Sequence, residues 1–227
     1  MRSSIVAPWR LGDTIMGVTA VGIGGAGLLV LATGLEMMGA TRGAWASLLS
    51  AAMLEGLLII TALAFSIRRY HCSVDILGFR SVRGYHFWLI PFVALFASLM
   101  ISGIYTTIVK FCGIDVLVPP ELSNSFEEPL GFSRLGLAFI VVVLAPIAEE
   151  TFFRGFVLQG LTHWTGLFGA SIGSSLLFAL SHASVGMLIP VFLSGMILAW
   201  AFMKTRSLTP GIFAHSMQNS LAFMLAF

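Results

Sequence analysis

Long apolar runs separated by short polar segments dominate the chain. A membrane-spanning helix needs about 20 consecutive, mainly apolar residues. Seven stretches reach or approach this length: 14–35, 45–67, 86–108, 134–160, 166–184, 187–204 and 208–227. The fourth is interrupted, because the polar segment EETFFR follows the apolar run LGLAFIVVVLAPIA. The pattern therefore predicts an all-α integral membrane protein, a bundle of about seven transmembrane helices, or eight if residues 151–163 form a separate short or re-entrant helix.

No internal repeat, low-complexity tract or Pro/Ser-rich linker divides the chain, so we expect one transmembrane domain over residues 1–227. Within it, residues 134–227 hold the polar motifs and form the expected catalytic core, and residues 1–133 supply accessory helices. The start MRSSIVAPWRLGDT leads into an apolar run without a cleavage site before a soluble domain. We therefore expect the first helix to stay in the membrane instead of being removed as a signal peptide.

Composition supports a membrane protein and excludes two other classes. Of 227 residues, 58% are hydrophobic and 10% are charged, whereas a soluble domain has about 25% charged residues. This excludes a soluble globule and a disordered chain. The net charge of +2 gives no indication of a nucleic-acid partner. Cys72 and Cys112 fall in loops predicted on opposite membrane faces, so we expect no disulfide between them.

Arg and Lys residues are concentrated in alternate loops. The predicted loops 1–13, 68–85 and 204–206 contain most of them, whereas the loop 109–133 is acidic. With seven helices the basic loops all lie on one face, which the positive-inside rule makes cytoplasmic. We therefore expect a bacterial inner-membrane protein with a cytoplasmic N-terminus.

Ionisable side chains inside a membrane span cost free energy and normally have a partner or a function. Those in the C-terminal part of the predicted spans are Glu149, Glu150, Arg154, His182 and His215. In the N-terminal part the acid within a span is Glu55, which we expect to be a neutral acid or to form an interhelical hydrogen bond.

The segment EETFFR divides two adjacent acids into different roles. Glu150 and Arg154 are four residues apart on a helix, so they can form an ion pair. Glu149 is rotated by about 100° from Glu150 and faces another side. A carboxylate without a cationic partner in a water-poor site is suited to act as a general base.

The segments FALSH and HSMQN add further polar groups on helix faces. Phe178 and His182 are four residues apart, so the phenyl ring can pack beside the imidazole. His215 and Asn219 have the same spacing, and each can donate a hydrogen bond toward one point. Two donors on one rigid helix can stabilise a developing oxyanion. With a carboxylate base, these groups form a set that can add water to a carbonyl group.

The three segments EETFFR, FALSH and HSMQN resemble the motifs EExxxR, FxxxH and HxxxN of the CPBP family, also called the Abi or CAAX protease family. This family includes the CAAX prenyl endopeptidases and bacterial proteins linked to bacteriocin processing or self-immunity. Every motif position is filled in the family order, within residues 134–227. The resemblance implies an intramembrane endopeptidase whose partners are the lipid bilayer and a membrane-associated peptide or protein substrate.

The resemblance also implies roles for the matched residues. Glu149 would activate a water molecule with the assistance of His182. His215 and Asn219 would form the oxyanion site. The other motif residues would support this architecture: Glu150, Arg154 and Phe178.

The resemblance leaves the cofactor open, because family members are described both as metalloproteases and as metal-free glutamate proteases. Glu149, His182 and His215 could bind zinc, with water in the fourth position. No HExxH signature is present, which favours the metal-free mechanism slightly. The alternative to an enzyme is a non-catalytic membrane scaffold or immunity protein with the same fold.

The predicted helix ends place the candidate residues at different depths. At about 1.5 Å per residue, Glu149 lies about 16 Å, His215 about 12 Å and His182 about 24 Å from the cytoplasmic ends. Residues of one site should meet at one depth. Either residues 151–163 form a separate helix, or the ends of the span 166–184 are wrong.

Overall fold

A computed structural model describes residues 7–38, 44–82, 84–120 and 132–226. The side chains of residues 44–47, 86 and 132 are not described, and part of the predicted acidic loop, residues 121–131, lies outside the described residues. All the regular structure of the described residues is helical, which confirms the all-α class.

The helices in chain order are α1 Leu11–Met37, α2 Ala44–Leu63, α3 His86–Phe111, α4 Phe132–Phe139, α5 Ala145–Glu149, α6 Gln159–Ser181, α7 Val185–Thr205 and α8 Thr209–Ala226. Wider π-helical turns cover Ala64–Arg68, Ile140–Leu144 and Glu150–Leu158. Short 3₁₀ turns cover Val74–Leu77 and Asp115–Leu117.

A single helical path runs through α4, α5 and α6, because the two π-helical segments between them continue the helix. The path is broken at Gly166, where φ is 70° and ψ is 176°. Glycine tolerates this conformation because it has no Cβ. Residues 151–163 therefore continue the preceding helix, and the expected alternative of a separate short helix there is not what the structure contains.

Stretches long and apolar enough to cross a membrane number five in the described part of the chain: Leu11–Met37, Leu48–Arg68, Phe87–Phe111, Ser133–Ser181 and Val185–Thr205. The fourth has 49 residues and covers two predicted spans, with the break at Gly166 between them. Helix α8 covers the last predicted span but does not belong to the five. The integral-membrane class is supported, and the number of about seven spans stays a prediction.

The basic segments gather at one end of the bundle. Asp13, in the first turn of α1, accepts a hydrogen bond from the Tyr70 hydroxyl over 2.5 Å and pairs with Arg69 Nε over 2.8 Å. The backbone N–H of Leu208 donates to Gly78 O over 2.8 Å. We call this region the basic end; it comprises residues 7–10, 69–82 and 204–208.

The turns that follow α3 and α6 lie together at the other end. The Tyr105 hydroxyl donates to Leu117 O over 2.9 Å. A Cβ at Gly186 would lie 2.3 Å from Val118 O, so a glycine is required where these segments touch. We call this region the opposite end; it comprises residues 112–120 and 182–186.

A layer of buried apolar side chains closes the bundle near the basic end. Trp9, Leu77 and Phe156 are fully buried and Leu208 is almost so. The Trp9 indole N–H donates to Phe156 O over 3.0 Å, which fixes the segment before α1 against the π-helical turn that follows α5. This layer lies between the basic end and the acids Glu149 and Glu150, which precede Phe156 on the same helical path.

Candidate active site

Two consecutive acids lie where α5 ends and the π-helical turn Glu150–Leu158 begins. Arg154 Nη1 donates to Glu150 Oε1 over 2.8 Å, and both side chains are buried. Glu149 points elsewhere and keeps 16% of its side chain exposed. The spacing of these residues in the sequence predicts this division of the two acids, and π-helical turns are often found at functional sites.

Arg154 also connects the motif helices to one another. Its Nη2 donates to Gly195 O of α7 over 3.2 Å. Its guanidinium carbon lies 4.4 Å from the centre of the Phe178 ring of α6, which is a favourable cation–π distance. One buried cation therefore joins the segment after α5 to α6 and α7.

His215, on α8, lies between the two acids. Its Nδ1 is 3.3 Å from Glu150 Oε1, and its Nε2 is 3.5 Å from Glu149 Oε2. The imidazole is buried, with 6% of the residue exposed. His215 thus connects the two acids to α8, the helix that carries the third motif.

The Phe178 ring contacts both candidate histidines. Its centre is 4.9 Å from the His182 ring and 5.8 Å from the His215 ring, and both pairs are edge-on. His182 follows the last residue of α6, and its Nδ1 lies 2.9 Å from Phe178 O. The spacing of Phe178 and His182 predicts their contact, whereas the contact with His215 depends on how the helices pack.

Asn219 lies one turn beyond His215 on α8. Its Nδ2 donates to Val141 O over 2.9 Å. Val141 belongs to the π-helical turn Ile140–Leu144, in which the regular helical pairing of carbonyl groups is disturbed. This bond fixes the plane of the amide, and the second hydrogen on Nδ2 is available to another acceptor.

A cavity of about 210 Å³ lies between α3, α6, α7 and α8. Three of the four expected catalytic residues line it: His182, His215 and Asn219. Glu149 is not a lining residue, and it approaches the cavity through its contact with His215. The remaining lining residues are Ser102, Thr106, Pro119, Phe178, Met187, Pro190, Val191, Ser194 and Gln218.

The two histidines that line this cavity differ in exposure. His215 is buried at the floor, whereas His182 is exposed at the opposite end of the bundle. Phe178 lies between them. The Phe178 ring contacts both of them, so it links the buried histidine to the exposed one.

The three residues that could bind zinc do not form a metal site in this arrangement. Glu149 and His215 approach each other, but the described residues contain no group of three His, Cys, Asp or Glu side chains that could hold a metal ion. A catalytic zinc site needs three such ligands with converging donor atoms. The donor set therefore does not fit zinc.

Glu55 is a residue near the site to which the sequence gives no catalytic role. It lies on α2, is buried, and interacts electrostatically with Glu149. Within the described part of the chain its Oε2 has no hydrogen-bond partner. The signal that could have found it is its position as an acid in the middle of an otherwise apolar span.

Known proteins match the part of the chain that holds these motifs. Residues 131–221 match the family described as "Type II CAAX prenyl endopeptidase Rce1-like". The chain is 30% identical over 83 residues to the Bacillus subtilis (strain 168) protein named "Putative membrane peptidase YdiL". That match covers 37% of this chain and 34% of the relative, so the chain spans about a third of the relative's length. No solved structure shows a significant match. The comparisons confirm the resemblance of the motif-bearing region to the CPBP, or CAAX protease, family.

Proposed function

We propose that the protein is an intramembrane endopeptidase that hydrolyses a peptide bond of a membrane-associated protein or peptide. The family match supports the broader class of membrane protease. The observation that carries the proposal is the position of His215. Its ring reaches Glu149 and Glu150 with its two nitrogens and also lines the cavity that contains His182 and Asn219.

In the proposed reaction, Glu149 takes a proton from a water molecule as the water oxygen attacks the carbonyl carbon of the peptide. His182 assists by a hydrogen bond to the water. The oxyanion that forms accepts hydrogen bonds from His215 Nε2 and Asn219 Nδ2. The C–N bond then breaks, and the proton on Glu149 passes to the leaving nitrogen. The products are a new carboxylic acid and a new amine, which ionise to a carboxylate and an ammonium group by transfer of the acid proton.

Glu150 and Arg154 have a supporting role in this proposal. Arg154 forms its ion pair with Glu150 and not with Glu149. Glu149 is therefore the acid that is left to act as a base. Phe178 supports the same arrangement, because its ring packs against both histidines. A site largely closed to bulk water strengthens each of these polar contacts. No step is assigned to a metal ion, since the candidate ligands do not converge.

We extend the proposal to the whole chain. A single domain with about seven transmembrane helices would place the motif-bearing core, residues 134–227, against the accessory helices of residues 1–133. The N-terminus would be cytoplasmic and the protein would lie in a bacterial inner membrane. The grouping of the basic segments at one end of the bundle supports this orientation under the positive-inside rule.

The test replaces Glu149 by Gln, which keeps the size of the side chain and removes the base. The matched control is Glu36→Gln, the same change at an exposed acid near the end of α1. Peptide termini in the host membrane fraction are compared for the wild type and both variants. We expect a set of termini that disappears in Glu149→Gln and persists in Glu36→Gln.

Two results would contradict the proposal. Termini that persist in a folded Glu149→Gln protein would remove Glu149 from the mechanism. If no termini differ, and the Glu149→Gln protein still rescues the phenotype of a deletion strain, the non-catalytic scaffold or immunity function would replace the protease.

A further inference from the structure

We propose that the substrate, a segment of a peptide or protein presented at the extracytoplasmic face of the membrane, reaches the site from that face. This inference rests on the proposed function and adds the side from which the substrate enters. It follows from where the cavity is open, where the bundle is closed, and how charge is distributed between the two ends.

Within the described residues the cavity reaches the opposite end of the bundle, because Pro119 and His182 line it. Its floor consists of buried residues, Phe178, Ser194 and His215. Its rim consists of more exposed residues that lie in or beside the opposite end: Thr106, Pro119, His182 and Met187. Exposure therefore increases from the floor to the rim, and a ligand that enters through the rim meets His182 before it meets His215.

The basic end offers no such path in the described part of the chain. Trp9 and Leu77 are fully buried, and Trp9 is bonded to Phe156 O. A Cβ added at Gly155 would lie 3.0 Å from Leu77 O, so the π-helical turn that contains Gly155 is in direct contact with the 3₁₀ turn that ends at Leu77. The Gln159 side chain donates to Ile76 O over 3.0 Å across the same contact. These packed layers lie between the acids and the basic end.

The charge of the two ends gives the orientation. The described basic end contains Arg10, Arg69, Arg80, Lys204 and Arg206. The described opposite end, residues 112–120 and 182–186, contains Asp115, and the helix ends beside it carry Lys110 and Arg134, so Lys and Arg are fewer there than at the basic end. Cytoplasmic loops are the ones enriched in Lys and Arg. The closed end therefore faces the cytoplasm, and the open end faces the outside of the membrane.

The experiment uses the full chain in sealed membrane vesicles of both orientations, with a charged, membrane-impermeant maleimide as the probe. In a Cys72→Ser/Cys112→Ser background, Met187→Cys places a thiol at the rim. Val116→Cys is the matched control, since Val116 lies at the same end, is 68% exposed and does not line the cavity. Each variant is compared with itself before and after treatment, by labelling and by formation of the Glu149-dependent termini.

In right-side-out vesicles we expect both thiols to be labelled and cleavage to fall at least tenfold in Met187→Cys only. In inside-out vesicles neither thiol should be labelled. Labelling of Met187→Cys from the inner face only, or from neither face, would overturn the proposal, as would labelling without loss of cleavage. The labelling result needs no proteolysis, so the side of entry is decided even if the proposed protease activity is not found.

Discussion

Arg154 and Glu150 form an ion pair from which solvent is excluded: Nη1 donates to Oε1 over 2.8 Å, and the two side chains are 0% and 1% exposed. Breaking such a pair by removing one partner costs several kcal/mol, because the remaining charge is left buried. The pair is also part of a larger contact, since the guanidinium reaches Gly195 O and the Phe178 ring. Its geometry is therefore as important as its charge.

Arg154→Lys should lower the free energy of unfolding by about 1.5–3 kcal/mol, the range for hydrogen bonds to charged groups. A lysine ammonium keeps the charge but has no planar fork, so it cannot serve Glu150 and Gly195 with the same geometry. Thermal unfolding in detergent measures the effect. Arg80→Lys is the control, because Arg80 Nε donates to Asp75 O at an exposed site. Equal stability of the two variants would mean that the fork is not required.

Asn219→Ala should reduce kcat by about 100- to 1,000-fold with little change in KM, as expected for loss of one oxyanion donor. Rates are measured on a peptide that contains a Glu149-dependent cleavage site. Ser220→Ala is the control, since the Ser220 hydroxyl bonds within α8 to Ser216 O. A raised KM with unchanged kcat would assign Asn219 to binding of the ground-state substrate instead.

Local spacing predicts part of this site. The four-residue separations of Glu150 from Arg154, and of Phe178 from His182, bring these pairs together on single helices, and both contacts are present. Such pairs depend only on helix geometry. The ideal helix also predicts that Glu149 faces a different side from Glu150. The two acids do have different partners, although the turn that begins at Glu150 is π-helical.

Contacts between distant parts of the chain were not predictable in this way. Asn219 donates to Val141 and Trp9 donates to Phe156, across 78 and 147 residues. The interaction of Glu55 with Glu149 likewise depends on how α2 packs against α5. The break at Gly166 was likewise not predictable from hydropathy, because glycine fits both helices and breaks.

Gly160→Ala should destabilise the protein by about 1–3 kcal/mol, the cost of overpacking a filled core. A Cβ there would lie 2.0 Å from Thr14 Oγ1 and 2.9 Å from the Trp9 ring, and both residues are buried. Gly56→Ala is the matched control on α2, where a Cβ meets nothing within 4 Å. That change should leave stability equal or raise it by up to about 1 kcal/mol through helix propensity. Thermal unfolding of both variants checks the difference in sign, and equal effects would contradict the close packing of α1 on Gly160.

Glu55→Leu should leave stability equal or raise it by about 1–2 kcal/mol. Within the described residues the Oε2 atom of Glu55 is buried without a hydrogen-bond partner, and an apolar side chain of similar size removes that unfavourable burial. The same change at the exposed Glu36 should alter stability by less than about 0.5 kcal/mol. Thermal unfolding in detergent compares both variants with the wild type. A loss of more than about 2 kcal/mol in Glu55→Leu would show that this carboxyl group has a stabilising partner.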